Sequence, residues 1–233
     1  MTDPAISAGT VSRRRLMVGG LGVAGGVTLW AGGLGGFAQP ASAADTKWKK
    51  GTSANGWPVV KATGQHRVEG AGALTASVLD GDVATVFLHV IRRYHYEIAM
   101  LEKGEVTGHT TQRTVAQAYE SNHLSGTAIA IRPEMYPLRA KDGFFASELT
   151  VIRDILADCE GVVRWGGDEA VPKESHFEIA VGPRDPLLGK VAKKMAAWSL
   201  SPAEGAGATD ATAAPRLRAA DTLKQRQKTA RSA

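Results

Sequence analysis

Apolar residues recur every three to four positions through residues 83–101, where Val86, Val90, Tyr94 and Ile98 share one face. With Asp82 placed to cap its start, this spacing predicts a helix. A second run at helical spacing covers Ala146 to Cys159. There Leu149, Ile152, Ile155 and Leu156 fall inward, and Arg153, Asp154 and Asp158 fall outward. A third, shorter helix fits about 186–198. Between these runs the pattern shortens to strand lengths. Glu105 to Gly108 reads as a short strand and turn, and Thr127 to Ile131 is β-prone and closed by Pro133 and Pro137. Gly161 to Trp165 and His176 to Ala180 read as two more strands around a Gly166-Gly167-Asp168 turn. The order helix, strands, helix, strands, helix predicts an α+β domain with a small, mostly antiparallel sheet flanked by helices.

The two ends break this pattern. Residues 1–43 open with Ser12-Arg13-Arg14-Arg15-Leu16-Met17 and continue as small and apolar residues, without charge, as far as Phe37. Gln39-Pro40 ends the run, and Ala41-Ser42-Ala43 offers the small side chains that a signal peptidase needs. Paired arginines before a glycine-rich, mildly hydrophobic stretch mark the twin-arginine export route, which predicts an extracellular or cell-wall destination and no membrane association after cleavage. Residues 44–56 are small and polar and read as a linker into a domain at 57–200. Residues 201–233 carry almost no large apolar side chain and read as a disordered basic tail or a marginal exposed helix.

The formal charge of +5 is a property of those ends. Between Ala44 and Leu200 the chain holds 19 basic and 19 acidic residues. A neutral core lacks the broad basic face that nucleic-acid binding requires, so that class is excluded. Cys159 is the single cysteine, which rules out an internal disulfide. Its place in a helical pattern predicts a buried, inert thiol.

Two segments carry candidate chemistry. The first is Ser121-Asn122-His123-Leu124-Ser125-Gly126-Thr127-Ala128-Ile129-Ala130, and the second is Val163-Arg164-Trp165-Gly166-Gly167 followed by His176-Phe177-Glu178. Together, in this order, they resemble the D-alanyl-D-alanine carboxypeptidase and endolysin-type zinc peptidases, the fold group of lysostaphin and the hedgehog domain. The resemblance spans roughly residues 55–182 and includes Asn55-Gly56-Trp57-Pro58. It implies His123 and His176 as ligands of Zn²⁺, and peptidoglycan stem peptides as the partner. In that family a bound water is activated by the metal and by a nearby carboxylate. Arg113, ten residues before His123, matches the arginine that fixes a substrate carboxylate. Ser121 and Gly126 match the residues that hold the loop aiming His123.

Two positions depart from the family pattern. Ala130 stands where the metal-binding aspartate belongs, and Lys173 stands where the catalytic carboxylate belongs, three residues before His176. Glu174 offers a replacement ligand or base if 174–178 is extended, because residues two apart then share a face. Without it Glu174 is a solvated loop residue and Glu178 is held by hydrogen bonds. Two functions follow as expectations: an exported zinc D,D-peptidase with impaired chemistry, or a non-catalytic protein that binds wall peptides or a partner. His109, four residues before Arg113, is not counted among the cleft residues, His66 is expected exposed, and Asp168 as a turn former. Tyr119 lines a cleft or packs.

Overall fold

The structure is a computed structural model that describes residues 45–201 and 205–232. The export signal read in residues 1–43 lies outside the described residues. Among those described, no helix is long and apolar enough to cross a membrane.

The predicted α+β architecture is present. Four short strands form the central sheet: β4 (Val106–Thr107), β6 (Ala128–Ile131), β8 (His176–Ile179) and β7 (Val163–Trp165), in the order β4-β6-β8-β7. Every pairing is antiparallel. Two small ribbons flank it. One joins β1 (Thr46–Lys47) to β5 (Thr114–Val115), and the other joins β2 (Gly64–Arg67) to β3 (Thr75–Val78). The helices are α1 (Asp82–Glu97), α2 (Ala146–Asp158), α3 (Pro186–Ser199) and α4 (Ala214–Ser232).

The two-residue period of the strands divides the sheet into faces with different roles. Ile129, Ile131, Phe177, Ile179, Val163 and Trp165 join the apolar core with α1, α2 and α3. Helix α1 contributes Val86, Phe87, Val90, Ile91 and Tyr94, all at 1 % exposure or less. Burying side chains of this size contributes roughly 1.5–3 kcal/mol each, which fixes which face looks inward. The alternate residues Ala128, Ala130, His176, Glu178 and Arg164 share the opposite face. Helix α1 stops at Glu97, earlier than its apolar pattern suggests, because the chain turns and Leu101 N–H donates to His95 Nδ1 at 2.9 Å.

Three expectations about organisation change. Asp154, assigned to the outward face of α2, is 1 % exposed. It lies on the side of α2 away from Ile152, but α4 packs along α2 and covers that side. Its carboxylate holds the fully buried Arg93 at 2.7 Å, and Arg93 also reaches Asp158 at 2.7 Å and contacts Glu97. Of the two readings of 201–233, a disordered tail or an exposed helix, the helix is found: α4 is largely exposed and packs one side on α2. Arg216, Ala220, Leu223 and Gln227 fall on one side of α4, and Gln227 donates to Val163 O at 3.2 Å.

The expected linker is likewise built into the domain. Trp48 N–H bonds Arg113 O at 2.7 Å, and the N–H groups of Ala54 and Asn55 donate to Ser121 Oγ and Asn122 Oδ1 at 2.9 and 3.0 Å. Asn55 Nδ2 donates to Thr127 Oγ1 and Ile179 O at 2.8 and 2.9 Å. Polar residues suit this segment because it docks through hydrogen bonds to backbone and side-chain groups of neighbouring elements.

Candidate functional site

The second face of the sheet and the 3-10 turn Ala118–Ser125 meet at the candidate site. Gly126 ends that turn at φ 68°, and a Cβ there would lie 2.5 Å from Thr63 Cγ2 and 2.9 Å from Leu79 N. Only glycine meets both demands, so the chain can reverse directly from the turn into β6. Ser121 has no exposure; its Oγ donates to Ala118 O at 2.6 Å and accepts from Ala54 N at 2.9 Å. It holds the loop and is not available to a ligand.

The structure brings His123 and His176 together, with ring centroids 5.2 Å apart and near-perpendicular planes. His123 Nδ1 donates to Gly108 O at 2.7 Å, since a carbonyl only accepts. Burial, then the neighbouring His176, push the His123 pKa down to about 3. The ring is therefore neutral at physiological pH, and Nε2 carries the lone pair. His176, fully buried, donates from Nε2 to Glu178 Oε2 at 3.2 Å, and its Nδ1 has no hydrogen-bond partner. Asn122 Nδ2 donates to the same Oε2 at 2.6 Å. Tyr119 packs its ring 4.9 Å from His176 and donates its hydroxyl to Val171 O, so it both packs and lines the cleft.

The positions missing from the family pattern can now be located. Ala130 pairs in register with His176, on the same face, so a methyl group stands beside the histidine where a third donor would sit. Lys173 Nζ bonds Glu120 Oε1 at 2.7 Å. Burial works against the Glu120 charge. However, the Lys173 bond and charge, with N–H bonds from Gln117 and Ala116, win and hold this carboxyl below its usual range. Both charges of the pair are thereby spent.

Glu174 does not fill the gap. A turn closed by His176 N–H to Lys173 O takes residue 174 off the strand, so 174 and 176 do not share a face. The Glu174 carboxylate accepts from Asp142 N and Gly143 N at 3.0 and 2.9 Å and holds that loop. Gly166 allows the same turn to close, since a Cβ there would lie 2.5 Å from Lys173 O.

Arg113 is also elsewhere. Its Nη1 donates to Trp48 O and Lys50 O at 3.2 and 3.1 Å, pinning the β1 segment. His109 Nε2 bonds Val60 O at 3.1 Å and does not line the cleft. His66 pairs with Asp80 at 2.9 Å and is only partly exposed. Asp168 does more than shape a turn, receiving both Arg153 terminal nitrogens at 2.5 and 2.7 Å. Cys159 is fully buried, and burial pushes its thiol pKa up.

A zinc centre of the family type needs three protein donors. The donor set here is two imidazoles, and the nearest carboxylate, Glu178, is already bonded to one of them. Among the described residues, no three His, Cys, Asp or Glu side chains are grouped to hold a metal ion. The residues present do not fit that centre.

An open cleft of about 340 Å³ reaches Tyr119, Asn122 and Glu178, and neither His123 nor His176 lines it. Asn55, Gln117, Arg164 and Glu169 line it together with Tyr119 and Glu178. Motif comparison alone did not single out Arg164, Asn122 or Glu120. The signal that finds the first two is the strand period, which sets Arg164 opposite Glu178, and the tight turn, which swings Asn122 onto the same carboxylate. Comparison with known proteins gives no matching family model, no matching curated protein and no matching solved structure.

Proposed function

We propose that this chain is an exported, wall-facing protein whose domain is similar to the zinc D-alanyl peptidases but binds peptidoglycan stem peptides without hydrolysing them. One observation carries the reading: Ala130 is in register with His176, so the strand position beside that histidine offers a methyl group in place of a third donor. The other replacement and the candidate substitute point the same way, because Lys173 stands in place of a carboxylate, paired with Glu120, and Glu174 is committed to a loop. What persists is a cleft of about 340 Å³ lined by Asn55, Gln117, Arg164 and Glu169, with Glu178 joining it to His176. That size suits a small ligand. The twin-arginine signal would deliver the folded domain to the wall, consistent with a single buried cysteine and no disulfide.

A second reading keeps weak metal binding, favoured by the buried His176 Nδ1 that lacks a partner. Zinc content and sedimentation separate the two. In the first reading, the full chain purified without chelator carries well under one zinc, leaves D-alanyl peptides intact and pellets with purified peptidoglycan sacculi. About one zinc per chain with peptide turnover overturns it, and failure to pellet removes the wall-binding role.

A further inference from the structure

Two arginines of α4 stand outside the ion pairing that organises the rest of the fold. Arg92, Arg93, Arg132, Arg153 and Arg216 each reach a carboxylate. Arg218 and Arg226 are exposed and, among the described residues, have no ion-pair partner. Helix α4 docks on α2 through the side that bears Arg216, Ala220, Leu223 and Gln227, which leaves the other side in solvent. Arg218, Thr222 and Arg226 follow at four-residue steps there, so they form one row. The row lines a groove of about 560 Å³ against Ala157 of α2 and Leu187 of α3. Glu160, the carboxylate in that lining, is already held by Lys190 at 3.2 Å and by Lys194. The Lys190 side chain is 71 % exposed, so the α3 side of the groove is cationic as well. From Thr222 to Ala233 the sequence holds four basic residues and no acidic one.

We infer that this groove is a docking surface for a linear, phosphate-bearing polyanion of the wall. A guanidinium fork matches two phosphate oxygens with parallel donors. Eight residues of helix rise about 12 Å, so a single small anion meets one fork, whereas a chain of repeating phosphates meets both. Leu217 is the one large apolar residue exposed on α4, too little apolar surface to seat the helix in a bilayer. One helix row is also narrower than the broad basic face that a duplex nucleic acid requires. The wall as the source of the polymer rests on the exported, wall-facing reading above. The site itself does not, because no residue of α4 lines the cleft assigned to stem peptides.

The test is a titration of labelled long-chain inorganic polyphosphate with the full chain, followed by anisotropy over a series of salt concentrations. Contacts from Arg218, Arg226 and Lys190 give a binding constant that falls with salt at a log–log slope of about −2. Arg218→Gln combined with Arg226→Gln weakens binding at least about tenfold at about 50 mM salt and brings the slope to about −1. Lys47→Gln combined with Lys49→Gln removes the same charge from exposed positions at the start of the domain and leaves binding unchanged. Absence of binding at about 50 mM salt, or equal loss in both double variants, overturns the inference. So does tighter binding to duplex DNA, or to vesicles of equal parts phosphatidylglycerol and phosphatidylcholine, than to polyphosphate. If the α4 double variant melts early, Lys190→Gln on α3 decides, with a loss of affinity and a shallower slope expected. Sedimentation then separates the source from the site. The full chain pellets better with sacculi that retain phosphate polymers than with stripped ones, and the α4 double variant loses that excess. Polyphosphate binding without the excess overturns the wall as source, whereas failure to pellet on stripped sacculi counts against the stem-peptide reading alone.

Discussion

Arg216, near the start of α4, holds Asp154 of α2 through Nε at 2.7 Å and Nη2 at 2.8 Å. The same Nη2 reaches Asp158 at 2.9 Å. Asp154 meets the buried Arg93 on its other side, so one carboxylate joins the first helix of the domain to the last. The His89 ring stands against Trp198 of α3 with its Nε2 3.4 Å from Asp158, which ties the fourth helix to the cluster.

Removing either partner has unequal effects. Arg216→Ala leaves Asp154 still paired with Arg93, and because Arg216 is partly exposed the expected cost is about 1–2 kcal/mol. Asp154→Ala strips a partner from a guanidinium with no exposure, and the cost rises to about 3 kcal/mol. Urea unfolding of both variants beside Arg218→Ala, an exposed position on the same helix, measures the difference. If Arg216→Ala matches the Arg218→Ala control, α4 does not stabilise the domain.

Glu174→Gln tests the loop role of that carboxylate. One amide oxygen replaces two, and the amide nitrogen then faces a backbone N–H, so stability falls by about 1–3 kcal/mol. Zinc content stays where it was. A loss of bound zinc in this variant would instead return Glu174 to the site.

These residues explain what the sequence could and could not convey. Helical spacing located α1, α2 and α3, and strand periodicity located β6, β7 and β8, because each buries a continuous apolar face. His123 and His176 were legible as a pair only through the resemblance of their two flanking motifs to a known family. Asp154 was not legible, since a charged residue on the outer face of a helix is ordinarily solvated. Only a second layer, α4, makes it a core residue. That layer was hidden in turn because α4 is held by arginine and glutamine rather than by an apolar stripe. The entry segment failed for the same reason, as Ala54 and Asn55 dock by hydrogen bonds that no hydrophobic period records. Arg113 and Glu174 matched a pattern of spacing, and their partners were backbone groups that spacing cannot identify.

Restoring the missing donor is the most direct probe of the family resemblance. Ala130→Asp places a carboxylate on the strand partner of His176, whose ring lies 5.2 Å from that of His123. A buried, unpaired carboxylate destabilises the zinc-free protein, and metal offsets that cost. The expected result is a lower Tm than the unaltered chain in chelator and a zinc-dependent rise in Tm that the unaltered chain lacks. His176→Ala in the same background abolishes the rise. If zinc leaves the Ala130→Asp Tm unchanged, the two histidines are not arranged around a vestigial metal position.

The pair Glu120–Lys173 sets an acid-side dependence of stability. Burial opposes the Glu120 charge, but Lys173 and two backbone N–H groups hold its folded pKa below the unfolded value, near 4.5. The unfolded chain therefore binds the proton first as pH falls. The stabilisation is fully present well above pH 4.5 and is lost as pH drops through the folded pKa. Glu120→Gln removes the titrating group, so its urea midpoint lies below that of the unaltered chain at pH 7. The gap narrows steadily from pH 5 to pH 3. Lys173→Met gives the same narrowing, because the lysine is the chief group favouring the charged form. A gap that stays constant over this range would mean that the pair contributes packing rather than charge. In that case Lys173 would remain free to repel a cation at the histidine pair.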